Sequence, residues 1–173
     1  MPSGVGVLQI SRWLLIFLLA CPLSAVARTL PENLQSVGQA ELSFLFFKIY
    51  TAELLNPQGE LLQLKGPLLL RLTFHRDISN TRLLKETRKR LAGEMTSQQR
   101  DDWLDHLGEI WLSVEKGQQM AFFMDREGHG HFYLQGRHIG SLPEKEFSQA
   151  FLNIWLSEDS AYPKLTRKLR GEI

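Results

Sequence analysis

The chain has 173 residues, 20 Lys plus Arg against 19 Asp plus Glu, a formal charge of +1 and one cysteine. Near-neutrality removes the broad basic surface on which nucleic-acid binding rests, and a lone cysteine removes both a disulfide framework and a thiolate metal site. The length suits a single domain with enough core to stand without covalent staples.

The N-terminus sets the compartment. Residues 1–12 carry one positive side chain, Arg12, residues 13–20 are wholly apolar, and residues 21–27 contain Pro22 and end in Ala25-Val26-Ala27. That is the layout of a secretory signal peptide with a small-x-small cleavage site. It predicts removal of residues 1–27 and delivery of a mature single domain, 28–173, to the periplasm. The apolar stretch falls short of the about 20 residues a spanning helix needs, so no transmembrane span is expected in the mature protein. Leu18-Leu19-Ala20-Cys21 also resembles a lipoprotein cleavage box, which would anchor the chain through Cys21, but Pro22 directly behind the cysteine disfavours that route. Loss of the leader takes Arg12 and Cys21 with it and leaves acidic and basic residues in equal number.

Residues 37–55 place Leu42, Phe44, Phe46, Ile49 and Leu54 among polar partners and run into Asn56-Pro57-Gln58-Gly59, a strong turn signal. They are read as two consecutive strands or one long bent strand. Residues 67–75 make a further strand, dense enough in leucine to be buried on both faces over part of its length. Behind Arg76-Asp77 and the capping residues Ser79 and Asn80, residues 81–92 turn helical, with Leu83, Leu84, Thr87 and Leu91 on one face, Arg82, Lys85 and Lys89 on the other, and Gly93 as C-cap. Thr96 to Gln99 opens a second helix, whose apolar positions Trp103, Leu104, Leu107, Ile110, Trp111 and Val114 keep the helical period until Gly117. Residues 120–124 and 131–134 look like paired strands around a Gly-containing turn, and Gln135-Gly136 leads into a last strand, 137–142. Pro143 suits the first position of a helix over 144–156 with Phe147, Phe151, Ile154 and Trp155 facing inward, and a final helix follows Pro163. Strands, helices, strands and helices again give an α+β class, a mainly antiparallel sheet with helices packed on one face.

The strand, the Phe74-His75-Arg76-Asp77-Ile78 turn and the helix behind it resemble the same passage of the chalcone isomerase fold. So do Phe47-Lys48-Ile49-Tyr50-Thr51-Ala52-Glu53-Leu54-Leu55 upstream, and Phe132-Tyr133-Leu134-Gln135-Gly136-Arg137-His138-Ile139-Gly140 and residues 147–156 downstream. In order these span about residues 37–169. The resemblance implies a chalcone isomerase-like open-faced sandwich with a ligand cleft between sheet and helices. Family members that close a flavanone ring need a cation and hydroxyls to hold a phenolate and polarise a carbonyl. On this chain the family's guanidinium position near the first strand falls at about Leu42, its late-helix polar position at Ile154, and its second-strand hydroxyl at Tyr50, with Thr51 beside it. The Tyr, Lys and Asn of the family's helical middle have no equivalents, and no arginine occurs between Arg28 and Arg71. The Arg-Tyr carboxylate clamp of fatty-acid-binding members is missing from the first strands.

Tyr50, Thr51, Lys48, Arg76 and Trp155 are therefore the ligand-binding candidates, and neither a cofactor nor a metal is expected. His129, His131 and His138 have no spaced carboxylate or cysteine to complete a ligand set and are read as a solvated hairpin tip. Arg76-Asp77 is read as fixing its turn by pairing and capping, the basic runs on the helices as solvated faces rather than a nucleic-acid surface, and the tryptophans at helical spacing first as core. The leading functional reading is an exported, non-catalytic protein that binds a small apolar or amphipathic ligand between sheet and helices. The alternatives are an isomerase or intramolecular lyase with altered site residues, in which Tyr50, Lys48 or Arg76 polarises a carbonyl, and an envelope interaction protein whose cleft is filled by Trp and Phe. Oligomeric state is not encoded in any motif.

Overall fold

The computed structural model describes residues 30–173 except 92 and 94, so the expected signal peptide, its expected cleavage site and Cys21 lie outside the described residues. Strands β1 (Gln35–Phe44) and β2 (Phe47–Asn56) form a hairpin closed at Phe44 and Phe47, which settles the first segment as two strands. β3 (Leu68–Phe74) follows, then helices α1 (Asn80–Arg90) and α2 (Ser97–Ile110). β4 (Gln119–Met124), β5 (Gly130–Leu134) and β6 (Arg137–Leu142) complete the sheet, and α3 (Lys145–Leu156) and α4 (Pro163–Leu169) end the chain. The six strands lie side by side in chain order and every pairing is antiparallel. The two-helix excursion after β3 thus returns to pair β4 beside it, and the chain is α+β.

Strand periodicity divides the sheet into two unequal faces. Ala52, Leu54, Leu68, Leu70, Phe74, Met120, Phe122, Met124 and Phe132 join the buried residues of α2, α3 and α4 in one core. The opposite face carries only a small cluster of Leu55, Leu69, Ala121 and Tyr133, against which Leu30, Leu34 and Phe123 pack. Leu68, Leu69 and Leu70 are all at most 1% exposed, so β3 is covered on both faces there, as its leucine density predicts. Around Phe122 the rings of Phe132, Phe147 and Phe151 stand 4.9, 6.1 and 4.7 Å away, a shared aromatic centre linking β4, β5 and α3. Each such ring contributes on the order of 1.5–3 kcal/mol through burial alone.

Local signals fix the helix ends, with three departures from expectation. Ser79 caps α1 by accepting from Arg82 N at 3.3 Å, and Thr96 and Gln99 form a complete capping box on α2. The C-cap of α1 is Leu91 rather than Gly93. α2 stops at Ile110, well before Gly117, because residue Val114 turns back to bridge Ile78 and is buried by that pairing rather than by a helix face. Asn80 Nδ2 donates to the carbonyl of Trp111 at 2.9 Å and so ties the end of α2 to the start of α1. Pro143 precedes the N-cap, Glu144, rather than occupying the first helical position of α3.

Gly38 lets α4 lie directly on the first strand. A Cβ there would come within 2.0 Å of the Lys168 carbonyl oxygen, a clash that backbone cannot relieve. α4 packs on β1 beside a register irregularity between Ser36 and Gly38, and Leu165 and Leu169 of this helix join the main core.

Candidate functional site

A cavity of about 460 Å³ opens between the helix-facing side of β1–β3 and helices α1 and α3. Its floor is apolar: Leu42 and Leu72 from the sheet, Phe74, Trp111, Met120, Phe151 and Ile154. Its exposed lining residues, Ser43, Phe44, Arg76, Arg82 and Lys89, mark the mouth. A register shift between Leu42 and Ser43 leaves Ile49 without a partner across the hairpin, and this bulge turns both Ile49 and Tyr50 into the lining.

Tyr50 and Trp155 form the polar point of the wall. Trp155 Nε1 donates to Tyr50 Oη at 2.9 Å across 105 residues of chain, and the Tyr50 ring stands edge-on to Phe74. Burial pushes the Tyr50 phenol up to about 12, although the Trp155 bond pulls the other way. The phenol therefore stays protonated at neutral pH and keeps a hydrogen to donate. Trp111, also in the lining, is 4% exposed and its indole N–H has no acceptor among the described residues. Two donors thus stand in a mostly apolar wall, with the buried Thr87 also in the lining.

Charge is confined to the mouth and comes from α1 and from Arg76 in the turn before it. Arg90 donates to Glu86 Oε2 at 2.6 Å and to Tyr162 Oη at 3.0 Å, with its guanidinium 5.6 Å from the centre of the Tyr162 ring. Lys89 Nζ reaches the other Glu86 oxygen at 3.0 Å. The Arg90 hydrogen bond first, then Lys89, holds the Glu86 carboxyl down to about 2, below its ordinary value of 4.5. Arg76 and Arg82 make no ion pair among the described residues. The mouth accordingly presents four cations and one carboxylate, which suits an anionic group lying outside an apolar pocket.

Of the candidates read from the sequence, Tyr50, Arg76 and Trp155 meet in this cavity. Lys48 and Thr51 do not. Lys48 lies out on the hairpin in a 2.7 Å ion pair with Glu41, and Thr51, one residue on from Tyr50, takes the opposite face of the sheet and bonds His75 Nε2 at 2.8 Å. Arg76 and Asp77 do not pair with each other: Arg76 goes to the cavity, while Asp77 accepts from Lys116 N at 2.8 Å and anchors the loop before β4. Of the three histidines, His138 is exposed and His129 half-buried, but His131 is no part of a solvated tip. His131 is 7% exposed, with Nε2 3.0 Å from Asp125 Oδ2 and Nδ1 2.8 Å from Ser141 Oγ, so it stitches the β4–β5 turn to β6. Arg82, Glu86, Lys89, Arg90 and Tyr162 went unrecognised in the sequence because a basic helical run ordinarily faces water. The usable signal was the Glu86–Arg90 spacing of one helical turn beside Leu83 and Thr87, both of which line the cavity.

The family described as chalcone isomerase-like matches residues 31–171. The chain belongs to the chalcone isomerase-like family. Among solved structures it is similar to the crystal structure of an Arabidopsis thaliana fatty-acid binding protein, with a TM-score of 0.64 over 83% of this chain and 89% of that chain at 10% sequence identity. That likeness is one of fold, the six-stranded antiparallel sheet with its helices. No curated protein matches the chain. Within the family frame, the position that the resemblance assigns to a guanidinium is a leucine in the cavity floor, Leu42, and the late-helix polar position is Ile154, also in the lining.

Proposed function

We propose that this protein is a non-catalytic member of its family that holds one amphipathic ligand, an apolar body with an acidic head, in the cavity between sheet and helices. The observation that carries the reading is the division of that cavity into an apolar floor and a mouth bearing Arg76, Arg82, Lys89 and Arg90. A volume of about 460 Å³ lies within the range of small-molecule sites. A fatty acid has this shape and charge, and the similar plant protein is a fatty-acid binding protein. Tyr50 Oη and Trp111 Nε1 supply hydrogen-bond donors to any oxygen carried on the ligand's body.

The same residues speak against ring closure. Attack by a phenolate needs a cation where charge develops, and the donors of such a site are typically worth 100-fold or more. Here the floor offers leucine and isoleucine at the family's polar positions, and the cations stand at the rim, with Arg76, Arg82 and Lys89 exposed. The leader supports placing this activity in the periplasm, with attachment through Cys21 as the alternative.

Solvent extraction and mass spectrometry of the purified protein, with titration of a dansyl-labelled undecanoic acid, test the reading. A co-purifying acidic amphipath and saturable binding weakened by Arg82→Gln are expected. An absence of both would refute it. Cyclisation of a hydroxychalcone above the solvent rate, abolished by Tyr50→Phe, would make the protein an isomerase instead.

A further inference from the structure

The tip of the β1–β2 hairpin exposes four large apolar side chains in a row. Phe44, Leu45, Phe46 and Phe47 are 67, 76, 98 and 64% exposed, whereas the core rings of the same protein are nearly all sealed. Leu45 and Phe46 are the two loop residues of the turn, and Leu45 takes a φ of 56° at the first of them, where glycine is ordinary. A β-carbon in that region is strained, so an apolar side chain is kept there at a cost to folding that a glycine would avoid. A run of exposed apolar residues on a strained turn does nothing for the fold and marks a contact with something outside it.

The surroundings say what that contact is. Phe44 belongs both to the tip and to the cavity lining, which the exposed Arg76, Arg82 and Lys89 share, and Lys48, next to Phe47, pairs with Glu41 at 2.7 Å. A second copy of the chain meeting tip to tip would bring these cations against their own counterparts. A narrow convex turn also buries little area against another protein. Aromatic and leucine side chains projecting beyond a set of cations match instead the layered chemistry of an anionic lipid surface, apolar below and negative above.

We propose that the Phe44–Phe47 tip inserts into the interfacial layer of a membrane bearing anionic lipids, seated by Arg76, Arg82 and Lys89. Seated in this way, the cavity opens against the lipid. The docking itself stands on the tip and not on what the cavity holds.

The test uses the protein as isolated from its host, floated with equimolar phosphatidylcholine–phosphatidylglycerol vesicles and with pure phosphatidylcholine vesicles. Tighter binding to the anionic vesicles is expected, weakened about tenfold or more by the pair Phe46→Ser and Phe47→Ser. Arg76→Gln with Arg82→Gln should cost roughly fivefold per cation and reduce the preference for anionic lipid. Leu45→Gly separates docking from folding, because it should raise the melting temperature while lowering vesicle binding. Hydrogen exchange at the unpaired loop amides of Leu45 and Phe46 should slow only when vesicles are added, which identifies the contact whether or not the leader is still attached. Vesicle binding that ignores the tip variants would overturn the proposal, as would tip amides already protected without lipid or a dimer dissolved by Phe46→Ser. Titration of the dansyl fatty acid in the absence of vesicles reads the ligand site separately, so either reading can fail alone.

Discussion

Tyr50→Phe deletes one oxygen and leaves Trp155 Nε1, in a residue 8% exposed, without the acceptor it holds at 2.9 Å. A net hydrogen bond is worth about 0.5–1.5 kcal/mol and a stranded buried donor costs about 1–3 kcal/mol. Water entering the cavity reaches the orphaned N–H, which puts the loss near the lower figure, about 1–1.5 kcal/mol. The edge contact of the ring with Phe74 at 6.1 Å is retained, so packing adds little. Urea unfolding should therefore show a lower midpoint at an unchanged slope. In a double-mutant cycle with Trp155→Phe, the coupling should be about 1 kcal/mol, since the second substitution no longer has a bond to break. Titration with the dansyl-labelled acid then asks whether the phenol also serves the ligand, and a loss of about tenfold, the equivalent of one hydrogen bond, is expected. Zero coupling between the two positions would refute the wall as described. A loss of stability with affinity untouched would refute Tyr50 as a ligand donor.

Three further outcomes follow from the same geometry. Glu86 has a folded value depressed to about 2 against an ordinary 4.5, so its contribution is full above pH 4.5 and is lost as pH falls through about 2. Because the side chain is 39% exposed, screening reduces this to about 1 kcal/mol or less, and the difference between wild type and Glu86→Gln in acid unfolding should vanish across that window and not elsewhere. Asp77→Ala removes the acceptor of Lys116 N and should cost about 1 kcal/mol in thermal unfolding while leaving affinity for the dansyl acid unchanged, and a loss of binding would give the turn a role in the site. If the leader is cut after Ala27, N-terminal sequencing of the protein isolated from its host should begin at Arg28, and fatty-acid labelling at Cys21 would overturn that processing.

Much of the fold was legible because its signals are local. The Thr96–Gln99 capping box, Pro163 opening α4 and the Gln135-Gly136 turn, whose residues take φ of 51° and 75°, each fix a backbone state within a few residues. The hairpin between Phe44 and Phe47 was less legible, because its turn is made of Leu45 and Phe46 and carries no turn residue at all. α2 was read too long because Val114 keeps the helical spacing of buried residues while owing its burial to a bridge with Ile78.

By itself, the sequence determined the α+β class, the two-face burial of β3, the absence of thiolate chemistry from the domain and the apolar character of Leu42 and Ile154. Only the tertiary structure decided which polar residues share a site. Tyr50 meets Trp155 across 105 positions and Arg90 meets Tyr162 across 72, pairings for which nothing in either neighbourhood prepares. Alternation along β2 sends Thr51 to the far face beside the Tyr50 that it neighbours in sequence. Local propensity fixes backbone states over a turn or two, whereas a cavity is the gap left where distant elements fail to fill space between them, and that is set by the packing of the whole chain.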